Sequence, residues 1–119
     1  MKYLCLIYDE EKKLNTMSKS EGEAMMGEYF GFTEGIKTSG HYLGGNALQP
    51  VQTATTVRVR NGKVSTTDGP FAETQEQLGG YYLIEAKDLN DAIQVAQKIP
   101  SSRIGSIEVR PIMEFNTQP

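Results

Sequence analysis

The sequence is poor in the residue types that usually announce a chemistry. One cysteine and one histidine occur in 119 residues, which excludes an internal disulfide and leaves no Cys/His cluster for a transition metal. No apolar run approaches the roughly 20 residues that span a bilayer. The N-terminus runs straight into an alternating segment, without the apolar stretch of a secretion signal. A cytoplasmic protein with no membrane role is therefore the expectation. Basic residues are scattered singly apart from Lys12-Lys13, and the formal net charge is −3, so nucleic acid is not an expected partner.

What is present suits one folded domain over residues 1–119. A hydrophobic fraction of 38% against a charged fraction of 23% is ordinary for a globular chain. The length supports a core without disulfides or metals.

Lys2 to Tyr8 alternates Tyr3, Cys5 and Ile7 with Leu4, Leu6 and Tyr8, a strand apolar on both faces and so expected to be covered on both. Ser18-Lys-Ser-Glu21 has the form of a capping box. It predicts a helix from about Ser20 to Ser39, ended by Gly40, with Met26, Tyr29, Phe30, Thr33 and Ile36 facing the core. Gly27, Gly31 and Gly35 form one stripe on that helix. Each costs on the order of 1 kcal/mol against alanine, and close approach of a backbone, a side chain or a ligand would offset that cost. His41 to Leu43 begins a short strand. Asn61-Gly62, between Thr53–Arg60 and Lys63–Thr67, predicts a two-residue hairpin because both residues tolerate positive φ. Its register pairs Arg60 with Lys63 and Thr55 with Asp68, which puts Arg58 and Asp68 on opposite faces. Gly80 to Ala86 is a further strand. Asp88 caps a second helix with Leu89, Ala92, Ile93, Ala96 and Ile99 inward before Pro100. Ser106 to Phe115 closes the chain as a strand, with Ile107, Val109 and Met113 inward.

The order β, α, β, hairpin, β, α, β predicts an α+β fold, a ferredoxin-like antiparallel sheet with two helices on one face. Two helices cover one face only. The second apolar face is expected to pack on a second copy in a two-fold homodimer.

The run Asp68-Gly-Pro-Phe-Ala-Glu-Thr-Gln-Glu-Gln-Leu-Gly-Gly-Tyr-Tyr-Leu-Ile-Glu-Ala86 resembles the signature of the DGPF proteins within the YCII-related family. Met1 to Tyr8, Thr53-Ala-Thr-Thr-Val-Arg58 and Gly105-Ser-Ile-Glu-Val-Arg-Pro111 extend the likeness over nearly the whole chain. The resemblance implies a ferredoxin-like subunit that dimerises into an α+β barrel with a cleft, and it implies no known reaction. Many such proteins carry a histidine on the first helix near an acidic residue and are suspected enzymes on that ground. The matching helix position here, counted back from Gly40, is Tyr29, and the lone histidine, His41, lies past the helix end, so that pair does not carry over intact. Related modules beside or fused to bacterial sigma factors keep a regulatory or ligand-sensing reading open.

Asp68 precedes Gly69-Pro70, where an aspartate commonly accepts N–H groups of its own turn. Its functional reading is a general base at the cleft mouth, with Phe71 and a partner chain burying it and raising its pKa. His41 is the second candidate proton carrier, against the reading of an ordinary residue at a helix end. Glu73 and Glu76 follow closely, and Thr74-x-x-Gln77 has the form of a capping box for one helical turn, which reads them as an exposed carboxylate pair. Asp68, Glu73 and Glu76 lack calcium-loop spacing, and no metal is expected. Arg58 and Arg110 suit either structural ion pairs or a carboxylate-bearing substrate, with Tyr29, Phe71, Glu73, Tyr81 and Tyr82 as candidate lining. Cys5 reads as core. Together these suggest a cofactor-free enzyme moving protons on a small organic acid or cyclic metabolite. The alternatives are a non-catalytic dimeric module that binds a metabolite or a regulatory partner, and a purely structural partner domain.

Overall fold

The computed structural model describes residues 1–115. Its elements are β1 (Lys2–Asp9), α1 (Glu11–Leu14), α2 (Lys19–Thr38), β2 (Tyr42–Ala47), β3 (Thr55–Arg60), β4 (Lys63–Asp68), β5 (Gln77–Glu85), α3 (Leu89–Ala96) and β6 (Ser106–Pro111), with 3-10 turns at Val51–Thr53 and Pro100–Arg103. Four strands form a sheet in the order β2-β5-β1-β6, and each neighbouring pair is antiparallel. β1 and β2 are joined through α2 with β5 between them, and β5 and β6 are joined through α3. This is the ferredoxin-like topology, with β3 and β4 inserted as a separate two-stranded sheet.

Period-two alternation decides which side of the sheet is dry. Tyr3, Cys5 and Ile7 of β1, with Ile84 of β5, meet Phe32 and Ile36 of α2 and Ala92, Val95, Ala96 and Ile99 of the α3 segment in one core. Burial pushes the Cys5 thiol up to about 11, so it is an inert core residue. Leu4, Leu6, Tyr8, Tyr81 and Leu83 occupy the opposite face and stay half-buried, because both long helices lie on the other side.

α2 begins with the expected capping box: the Ser18 hydroxyl accepts from Glu21 N–H at 3.1 Å, and the Glu21 carboxylate accepts from Ser18 N–H at 2.9 Å. Gly40, at φ +83°, ends the helix. Its core stripe differs from the expected one, since Phe32 and Ile36 are buried while Met26 and Phe30 are exposed. At about 100° per residue Met26 points about 100° and Phe30 about 140° away from the direction of Phe32 and Ile36, so neither faces the core. The stripe of Gly27, Gly31 and Gly35 meets no close neighbour within the chain: a Cβ on any of the three would find nothing within 4 Å.

The β3–β4 register agrees with that read from Asn61-Gly62, pairing Thr55 with Asp68, Val59 with Val64 and Arg60 with Lys63. Asn61 has φ 53° and Gly62 φ 75°. Val57, Val59 and Val64 are exposed on one side of this hairpin. Elsewhere Leu89, Ile93 and Met113 are exposed rather than inward, and β6 stops at Pro111. Gly44 and Gly45 belong to β2. Thr74 starts no helical turn. Its hydroxyl donates to the Glu76 carbonyl, and Gln77 opens β5.

Candidate active site

A cleft of about 650 Å³ opens between α2 and the β2–β5 end of the sheet. Missing side chains on the helix-facing side help make room for it. Gly45 pairs with Tyr82 and Gly80 with Ile7, so both occupy positions where a side chain would point toward α2. A Cβ on Gly45 would lie 2.9 Å from the Tyr82 ring, and one on Gly80 2.9 Å from the Asn46 carbonyl oxygen. Between Leu78 and Gly80 the register shifts, with Gly79 as the extra residue opposite Ile7 and Tyr8. A bulge of this kind bends its strand and re-aims neighbouring side chains. The next residue of β1 is Asp9.

Asp9 continues the inward series Tyr3, Cys5, Ile7 and is 8% exposed. Its Oδ2 accepts from the Ser101 hydroxyl at 2.9 Å, and Ser101 Oγ lies 2.5 Å from the Tyr29 hydroxyl. Oδ1 is buried without a hydrogen-bond partner. Gly105 makes space for that oxygen, since a Cβ there would lie 2.9 Å from Oδ1 and collide with the Tyr8 carbonyl. Burial raises the Asp9 pKa, the Ser101 hydrogen bond opposes that rise, and the nearby Glu76 carboxylate adds to it. Burial likewise raises the Tyr29 pKa. Asp9, Tyr29 and Ser101 all line the cleft.

The proton inventory gives this chain a direction. An ionised Asp9 only accepts, so the single Ser101 hydrogen is spent on Oδ2, and Tyr29 O–H must donate to Ser101 Oγ. Lone pairs of the Tyr29 oxygen then remain to accept from the cleft. A protonated Asp9 reverses the chain: it donates to Ser101, Ser101 donates to Tyr29, and Tyr29 O–H is released for the cleft. Tyr82 forms the adjoining wall. Thr33 Oγ1 donates to the Tyr29 carbonyl at 2.9 Å and lies 2.7 Å from the Tyr82 hydroxyl, which fixes Tyr82 as donor to Thr33.

Of the residues singled out from the sequence, Tyr29 and Tyr82 line this cleft and Tyr81, in register with Leu6 of the outer face, borders it; Asp68, His41, Arg58, Phe71, Glu73 and Arg110 do not. Asp68 sits at the end of β4 and is exposed. Gly69 N–H donates to the Ala54 carbonyl at 2.7 Å, not to Asp68. Phe71 is 80% exposed and buries no carboxylate within the chain. Glu73 is exposed, Arg58 is half-buried on the opposite hairpin face from Asp68, and Arg110 pairs with Glu108 on the outer sheet face. Among the described residues no group of three or more His, Cys, Asp and Glu side chains could hold a metal ion.

His41 belongs to a different place, a groove of about 460 Å³ between α2 and the α3 segment. Its Nε2 lies 3.1 Å from Asp91 Oδ2 and its Nδ1 2.6 Å from Ser39 Oγ. Asp91 is held below its usual pKa by the Lys87 N–H and by His41. The Asp91 carboxylate accepts a hydrogen bond from His41 Nε2–H, and Nδ1 faces Ser39 Oγ, whose hydroxyl donates to the Ile36 carbonyl at 3.2 Å. The connectivity is that of a Ser-His-Asp triad, yet the N–H groups of Ser39, Gly40 and His41 all donate to carbonyls of α2. None is left to stabilise an oxyanion, and the trio acts as a tether between the end of α2 and the start of α3.

Sequence reasoning missed Asp9 and Ser101. The signal for Asp9 was available: extending the β1 alternation by one step puts a carboxylate on a face otherwise built of Tyr3, Cys5 and Ile7. Ser101 carries no comparable mark, since it reaches Asp9 only through the 3-10 turn after Pro100.

Comparison with known proteins agrees with this architecture. The YCII-related domain matches residues 1–116. An uncharacterized protein of Rhizobium meliloti (strain 1021) is 35% identical over 114 residues, covering 94% of this chain and 92% of its own length. No helix of the described residues is long and apolar enough to cross a membrane. With the match running almost end to end on a ferredoxin-like sheet, the chain belongs to the YCII-related family.

Proposed function

We propose that the protein is a cofactor-free enzyme that relocates a proton on a small, largely apolar cyclic or carbonyl compound, with Tyr29 touching the substrate and Asp9 as the proton reservoir. In the forward step an acidic C–H or O–H of the substrate gives its proton to the Tyr29 oxygen. The Tyr29 proton moves to Ser101 and the Ser101 proton to Asp9 Oδ2. The return runs the chain backward and delivers a proton to a second atom of the substrate. The net change is a tautomerisation, which needs no co-reactant. The observation that carries this reading is the unbroken chain from Tyr29 through Ser101 to a buried, half-satisfied Asp9. A raised carboxylate pKa suits a group that must take up a proton from the chain and return it.

We further infer that two copies pair through the half-buried face of Leu4, Leu6, Tyr8, Tyr81 and Leu83, in the cytoplasm. Pairing there would give the outer face the cover that the helices leave missing.

The test is solvent deuterium wash-in, followed by proton NMR, over a panel of small enolisable cyclic ketones and keto acids. The intact protein should accelerate exchange, and Asp9→Asn, Tyr29→Phe and Ser101→Ala should each lower the rate about 100-fold or more. Undiminished exchange in Asp9→Asn would rule out the relay. Binding of panel compounds without exchange would favour the second reading, a dimeric module that holds a metabolite. That reading is supported by the enclosure of Asp9 and Ser101, which hydrogen-bond to each other within the protein.

A further inference from the structure

The cleft runs along α2, and its chemistry differs from end to end. Asp9, Ser101 and Tyr29 form the proton-transfer end. Toward the C-terminal end of the helix the lining passes through Phe30, Tyr82 and Tyr42 to Lys37. Among the described residues Lys37 is the one cationic side chain that lines this cleft. Its Nζ lies 5.1 Å from the centroid of the Tyr42 ring. Tyr42 in turn packs edge-on to Tyr82, with centroids 6.4 Å apart. Glu34 approaches Lys37 only to 3.9 Å, and its side chain is 74% exposed. An exposed pair at that separation is longer than a charge-assisted hydrogen bond and contributes little. The ammonium therefore stands over the Tyr42 ring at the exposed edge of the cleft, with Glu34 of the same lining as a weak counter-ion that an incoming carboxylate would have to displace.

From these placements, and resting on the reading of Tyr29 and Asp9 as the reactive end, we propose that the substrate is an elongated aryl or alicyclic monocarboxylate. Its carboxylate binds Lys37, its ring lies along Tyr42 and Tyr82, and its exchangeable proton faces Tyr29. Lys37 and Tyr29 are two turns and more apart on one helix, about 12 Å along the axis at 1.5 Å per residue. A ring with a short acid chain bridges the space between the two side chains, and a compact two-carbon acid does not.

The experiment uses benzoate, phenylacetate and 3-phenylpropionate with their primary amides as probes, and follows binding to the intact protein by calorimetry and by amide chemical shifts. Expected is a preference of about tenfold for 3-phenylpropionate over its amide, from one charge-assisted contact. Lys37→Met should abolish the preference while amide affinity stays unchanged. Lys37 is exposed and methionine keeps its unbranched stem, so the variant should fold. Asp9→Asn should keep the preference for the acid while losing deuterium exchange, which separates failure of the anchor from failure of the relay. An acid preference that survives in Lys37→Met overturns the proposal. So does equal affinity for acid and amide in the unaltered protein, or the absence of binding by all six probes.

Discussion

At the scale of single residues, two aspartates show what a sequence does and does not display. Asp68 stood out because Gly69-Pro70-Phe71 follows it, and turn chemistry is written in adjacent residues. Its location at an exposed strand end is a tertiary fact that no neighbour encodes. Asp9 looked like the end of a strand, and its partners come from Ser101 and Tyr29, far away in the chain. A prediction belongs to it. Since burial raises the Asp9 pKa in the folded state, the folded protein holds this proton more tightly than the unfolded chain does. The stability that Asp9 contributes is full below its unfolded pKa and is lost as pH rises through the raised folded value. Relative to Asp9→Asn, the unaltered protein should therefore lose stability as pH rises from the ordinary carboxylate range through the raised folded value. Urea unfolding at several pH values measures the difference, and a difference independent of pH would count against a buried ionisable Asp9.

At the scale of elements, the hairpin was the most legible because turn type sets register locally. The capped start of α2 and its stop at Gly40 were legible for the same reason. The face of α2 was not. Met26 and Phe30 scored as apolar helical positions, yet which side of the helix meets the sheet is decided by the packing of Phe32 and Ile36 on β1 and β5, a tertiary fact. The Gly27, Gly31 and Gly35 stripe gives this scale its prediction. With open space at each Cβ, Gly31→Ala should stabilise the protein by about 1 kcal/mol through helix propensity, raising Tm by roughly 4 °C. A fall in Tm on thermal unfolding would mean that something packs on that stripe in the assembled protein.

At the scale of the whole molecule, alternation along β1 and β5 declared two apolar faces, and element order declared the ferredoxin-like topology. Both were readable because they depend on periodicity and succession. Cover for the second face has to come from outside the single chain, because both long helices lie on the first. Sedimentation at micromolar concentration should give twice the 13.2 kDa chain mass, and Leu4→Lys combined with Leu83→Lys should return it to the single-chain value. The same substitutions leave Tyr29, Ser101 and Asp9 on the other side of the sheet, so proton exchange should survive wherever the separated chain stays folded.

The manner in which α2 is moored has its own consequence. The helix is anchored where Phe32 and Ile36 are buried, while its first three turns, above the cleft, bury no residue completely. Such a lever yields most at the end farthest from its anchor. A visiting molecule would be admitted by a small lift of the leading turns, with Tyr29 near the pivot, so that the hydroxyl which handles the proton stays in place while the doorway widens.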